Sequence, residues 1–119
     1  MSSRLDGYRI DERLAVYGSL APGESNAHIL APLAGTWTDG VVRGTLRPIL
    51  TGYAAGYRGI RLDAEGDPVP CKVFSSHDLP GFWSSLDAFE GAEFFRTIIR
   101  VEVGDTMIKA NLYEWRPLR

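Results

Sequence analysis

Residues 94–115, FFRTIIRVEVGDTMIKANLYEW, read as two strands folded back on each other. From Phe94 to Val103 the side chains of Phe95, Thr97, Ile99, Val101 and Val103 alternate with those of Phe94, Arg96, Ile98, Arg100 and Glu102, the two-residue period of a β-strand. Gly104-Asp105 is a turn pair, and a second β-compatible run follows from Met107 to Trp115. The pattern predicts a C-terminal antiparallel hairpin.

Just upstream, Asp78 to Glu90 predicts a helix. Asp78 suits its cap, Pro80 falls in the first turn where a missing N–H costs little, and Gly91 offers a left-handed stop. Leu79, Phe82, Trp83, Leu86 and Phe89 recur at helical spacing and form one apolar stripe. Nearer the N-terminus, Leu14-Ala15-Val16-Tyr17 is a short apolar run ending at Gly18-Ser19, a buried strand feeding a turn. Residues Gly35 to Leu50 predict two short strands around Asp39-Gly40, Thr51 to Pro70 a loop with short extended pieces, and Val69 to Phe74 another strand. Residues 1–12 are polar and read as a loose arm or short added strand, leaving 13–119 as one domain. Short glycine-punctuated strands with one or two flanking helices point to an α+β fold, a small mixed and mostly antiparallel β-barrel.

One residue breaks the amphipathic pattern. At about 100° per residue, Glu90 falls about 20° from Leu79, between Leu86 and Trp83, so a carboxylate points into the apolar stripe. Burial and the negative end of the helix both raise the pKa of such a group, which suits a general base working near neutral pH. The bland alternative is a helix that frays before Gly91, leaving Glu90 to meet Arg96 or solvent. Asp87 takes a rim position and reads as solvated, and Arg96 reads as a structural cation. Tyr17-Gly18-Ser19-Leu20 is the second constellation: a turn after a buried strand leaves successive N–H groups free to receive a carboxylate.

The 119 residues carry 13 Lys+Arg against 15 Asp+Glu, a net charge of −2, and are 45% hydrophobic and 24% charged, which argues against a disordered chain and a nucleic-acid footprint. No apolar run reaches the roughly 20 residues of a membrane helix, and the charged N-terminus is unlike a secretory signal, so a cytoplasmic protein is expected. Cys71 has no partner for a bridge, and His28 and His77 lack metal-ligand spacing, so no metal is expected. Ser19 lacks the setting of a nucleophile.

Taken in order, Tyr17-Gly18-Ser19-Leu20, then Gly23 and Asn26, then Leu86-Asp87-Ala88-Phe89-Glu90-Gly91 followed by Phe94-Phe95-Arg96, resemble the gamma-glutamylcyclotransferase-like family from about Leu14 to Tyr113. The resemblance implies a cavity between the YGSL turn and the glutamate, in which a γ-glutamyl compound is cyclised to 5-oxoproline with release of an amine. It implies that the N–H groups of Gly18, Ser19 and Leu20 bind the substrate's α-carboxylate with Tyr17 beside it, that Glu90 is the acid/base, and that no cofactor takes part. Phe94 stands where the family has a tyrosine, so Tyr53, Tyr57 and Tyr113 are candidates to replace its hydroxyl. A non-catalytic module that binds a small carboxylate or γ-glutamyl ligand is the competing reading, and an interaction domain in which Glu90 only stabilises the fold is a third.

Overall fold

A computed structural model describes residues 7–52 and 54–117. Its strands are β1 (Arg13–Val16), β2 (Thr36–Pro48), β3 (Arg58–Leu62), β4 (Asp67–Ser75), β5 (Phe94–Val103) and β6 (Thr106–Trp115), with one α-helix, α1 (Trp83–Glu90). They follow the order β3-β2-β4-β1-β6-β5, and a further pairing of Val41 in β2 with Glu102 in β5 closes all but β3 into a ring. Every ladder is antiparallel except β1 with β6. The fold is therefore the expected α+β type, a small mixed barrel with a helix on its flank.

β1 explains why its sequence is continuously apolar. Ala15 faces the barrel interior with Val42, Val73, Val101 and Leu112, whereas Leu14 and Val16 face outward beneath α1 with Phe74, Trp83 and Leu86. The C-terminal hairpin pairs in register from Phe94 with Trp115 to Val103 with Thr106, as expected.

Three expectations need correction. Gly35 to Leu50 is not two strands around Asp39-Gly40 but the single 13-residue β2. Gly40 serves close approach rather than a turn, because a Cβ there would lie 2.8 Å from Val101 Cγ1 and 3.2 Å from the Glu102 carbonyl. The helix does not run from Asp78: Leu79–Gly81 is a 3-10 turn and α1 begins only at Trp83. Asp78 has helical backbone angles, and its carboxylate accepts from the Ala34 N–H at 3.0 Å instead of capping. Finally, residues 7–12 are neither loose nor a strand. Ile10–Glu12 forms a 3-10 turn held by Asn111 Nδ2 donating to the Ile10 carbonyl (2.9 Å), Trp83 Nε1 to the Asp11 carbonyl (2.9 Å) and Ser76 N–H to the Glu12 carbonyl (2.9 Å). Residues 1–6 and Tyr53 lie outside the described residues.

The extended piece within residues 51–70 is β3, and β4 starts at Asp67, before Val69. Pro68 and Pro70 fit in β4 because both pair with β2 on one side, while β1 reaches only to Lys72 on the other, leaving no ladder bond for a missing N–H to break.

Candidate active site

The chain leaves β1 at Tyr17, the helix ends at Glu90, and the segment before β3 arches past both. Between them lies a cavity of about 660 Å³, lined by Tyr17, Gly18, Ser19 and Leu20, by Phe89, Glu90 and Phe94, by Asn26, and by Ala54, Tyr57 and Arg58. Tyr17, Gly18, Ser19, Leu20, Glu90 and Phe94, expected together at the site, therefore all line one cavity.

Glu90 is placed there by the buried face of α1 and by the glycine that ends it. Leu86 and Trp83, one and two turns before it on the same face, are buried against β1 and β6. Gly91 then takes φ +88°, a conformation that side-chain-bearing residues rarely adopt, and stops the helix without fraying. Burial raises the Glu90 carboxyl to about 7. Among the described residues, no donor hydrogen-bonds its carboxylate.

The turn opposite is held from behind. Asn26 N–H donates to the Ser19 carbonyl (2.8 Å), Asn26 Nδ2 to Ser19 Oγ (2.9 Å), and Ala21 N–H to the Gly18 carbonyl (3.1 Å). The N–H groups of Gly18, Ser19 and Leu20 donate to no acceptor among the described residues. Three consecutive unengaged donors on a cavity wall make a site for an anionic group. Gly18 is not at positive φ, and a Cβ there would meet nothing within 4 Å, so glycine here leaves room rather than relieving strain.

The tyrosines divide by what their hydroxyls already do. Tyr17 accepts from the Ile60 N–H (3.2 Å) and donates to the Tyr113 carbonyl (2.8 Å), joining β1, β3 and β6, so it offers the cavity its ring and not a free hydroxyl. Burial, and then the charge of Glu90, raise its pKa and keep it protonated. Tyr113 donates to Asp87 Oδ1 at 2.6 Å and is likewise raised, chiefly by burial. Tyr57 makes only a 3.5 Å contact with Asn26 Nδ2 and, of the described tyrosines that line the cavity, is the phenol left available. Asp87 is not idle at the rim: it holds Arg96 through Nε (3.0 Å) and Nη2 (3.2 Å) as well as Tyr113, and Arg96 lies 4.4 Å over the Trp83 ring. Those bonds hold the Asp87 carboxyl below its usual range, Arg96 contributing most. Tyr57 was among the tyrosines expected to replace the hydroxyl absent at Phe94, whereas Asn26 and Arg58 were not singled out as site residues by the sequence, and of these two only Asn26, through its spacing from Gly23, carried a signal.

Among the described residues, no group of three or more His, Cys, Asp or Glu side chains is placed to hold a metal ion. His77 instead meets Glu12 Oε2 at 2.8 Å and stacks on Tyr8. Cys71 is buried and its thiol is pushed up to about 12. No helix among these residues is long and apolar enough to cross a membrane.

The sequence profile of the family described as gamma-glutamyl cyclotransferase, AIG2-like, matches residues 14–119. The chain belongs to this family. Among solved structures it is similar to YkqA from Bacillus subtilis at 25% identity and a TM-score of 0.67, covering 87% of this chain and 35% of that one, so it spans about a third of that protein's length. An AIG2-like protein from Mus musculus shares the fold at 18% identity and a TM-score of 0.65, covering 87% of this chain and 76% of that one. Allophanate hydrolase from Kluyveromyces lactis contains the same fold in a far longer chain, at 19% identity and a TM-score of 0.58, covering 86% of this chain and 17% of the hydrolase. A search of curated protein sequences returned no match.

Proposed function

We propose that this AIG2-like chain is a cyclotransferase acting on γ-glutamyl amines or amino acids, releasing 5-oxoproline and the free amine. The observation that carries the reading is a partly buried carboxylate with no hydrogen-bond donor among the described residues on one cavity wall, opposed by three unengaged N–H groups on another. The N–H groups of Gly18, Ser19 and Leu20 receive the substrate's α-carboxylate. Glu90 takes a proton from the neighbouring α-ammonium, and the freed nitrogen attacks the γ-carbonyl carbon to close the five-membered ring. As the bond to the leaving nitrogen breaks, Glu90 returns its proton to that nitrogen. The second proton lost by the ring nitrogen also goes to the amine, which departs as an ammonium. Nucleophile and electrophile belong to one molecule, so holding the γ-glutamyl group bent supplies much of the acceleration.

The test is 5-oxoproline release, followed by mass spectrometry, from a panel of γ-glutamyl amino acids and amines with wild type beside Glu90→Gln. Product from wild type alone is expected. Absence of product, with a γ-glutamyl compound still raising the melting temperature, would instead favour the binding module, since Phe94 lacks the hydroxyl carried by the family pattern.

A further inference from the structure

Arg58 is a cation on the cavity wall that the reaction above does not use. It is the first residue of β3, paired with Pro48, and its position is fixed by the base of the preceding loop, where Ile49 N–H donates to the Tyr57 carbonyl (2.8 Å) and Gly56 N–H to the Ile49 carbonyl (3.0 Å). Strand parity says where its side chain goes. A Cβ on Gly59 would run into the Trp115 side chain, so the other face of β3 carries Arg58 with Ile60, and Ile60 is in the barrel core beside Tyr17. Arg58 therefore emerges on the cavity side, just outside Tyr17. Among the described residues its guanidinium has neither an ion pair nor a hydrogen bond.

The charge of the cavity makes that cation informative. Its other charged wall residues are Glu90 and Glu24, both acidic. In the proposed reaction the α-carboxylate goes to the backbone donors of the turn and the α-ammonium to Glu90, so neither charge of the γ-glutamyl group is left for Arg58. A planar guanidinium that remains free at the mouth of such a site is matched by a second carboxylate, one borne by the part of the substrate that leaves.

We infer that Arg58 is a specificity residue that binds a carboxylate on the leaving group, making γ-glutamyl amino acids the substrate class in preference to γ-glutamyl amines without an acid. This rests on the cyclotransferase reading.

A matched pair of substrates isolates the contact. γ-Glutamyl-L-alanine and γ-glutamylethylamide differ only by the carboxylate on the carbon bearing the leaving nitrogen. Wild type is expected to favour the alanine compound in kcat/KM by about 10-fold or more, the range of a charge-assisted hydrogen bond. In Arg58→Gln the ratio should fall towards one, and in Arg58→Lys it should take an intermediate value, with circular dichroism and melting confirming that both variants fold. Equal use of the two compounds by wild type, or a preference that survives in Arg58→Gln, overturns the assignment. If wild type converts neither compound, it is the cyclotransferase reading that fails, and calorimetric binding then decides on Arg58: tighter binding of the alanine compound that is lost in Arg58→Gln sustains the carboxylate contact, and any other result overturns it.

Discussion

Glu90 sits where a glutamine would fold better. Its carboxyl is raised to about 7 by burial, whereas the unfolded chain titrates near 4.5, so between those values the native state holds more protons than the unfolded state. Stability must then fall as pH rises from about 4.5 to about 7, by up to about 3 kcal/mol in full. Glu90→Gln is expected to melt higher than wild type at pH 8, with the advantage shrinking to nothing near pH 4, while 5-oxoproline release is lost. Equal melting of the two proteins at pH 8 would mean that the folded-state carboxylate is not desolvated. The same ionisation sets the rate: kcat/KM should rise with pH through about 7 as the base form appears. The hydroxyl absent at Phe94 belongs to this scale too. Tyr57 is the available phenol on the cavity, so Tyr57→Phe should lower kcat/KM by about 10-fold or more, and adding Phe94→Tyr should recover part of that loss. A Tyr57→Phe enzyme of unchanged kcat/KM would exclude Tyr57 as the substitute.

At the scale of elements, the end of α1 has to be held against the barrel for Glu90 to stay in the cavity. Asp87 does this from one turn back, taking two bonds from Arg96 on β5 and one from Tyr113 on β6. Tyr113→Phe removes only the bond from β6, and Asp87 keeps both its Arg96 partner and its access to solvent. A loss of about 1 kcal/mol in urea unfolding is expected, with a larger proportional loss in kcat than in stability if the helix end shifts. Because Asp87 is held below the usual carboxylate range, its stabilising contribution is present above about pH 4 and disappears as pH falls below that. The helix face was legible from spacing because Trp83, Leu86 and Glu90 obey one periodicity wherever the helix starts. The start was not legible, since Asp78 satisfies every local rule for a cap and is diverted by a partner, Ala34, 44 residues away. Arg58 was illegible for a related reason: nothing local distinguishes an arginine facing a cavity from one facing water.

At the scale of the whole molecule, the least redundant feature is the closure of the barrel. β3 has no ladder on the side away from β2, and its N–H groups are answered by side chains, Ile60 by the Tyr17 hydroxyl and Leu62 by the buried Glu114 carboxylate at 2.8 Å. The ring itself joins through the Val41–Glu102 pairing alone, and Gly40 lets β2 and β5 meet there. Asp39-Gly40 is a strong turn signal as a dipeptide, whereas here its glycine is required by the approach of Val101 and Glu102 on β5, far along the chain. Gly40→Val therefore tests the architecture directly. Its added carbon would already sit within 2.8 Å of Val101 Cγ1 and 3.2 Å of the Glu102 carbonyl, with Cys71 Sγ at 3.5 Å on another side, so neither strand can yield without opening the seam. A destabilisation of about 1–3 kcal/mol is expected in chemical denaturation, with faster amide exchange concentrated along β5. Gly81→Ala, where an added carbon meets nothing within 4 Å, should stay within about 0.5 kcal/mol of wild type. If Gly40→Val matched that control, the two strands would not be in contact at the seam, and the barrel would not be closed there.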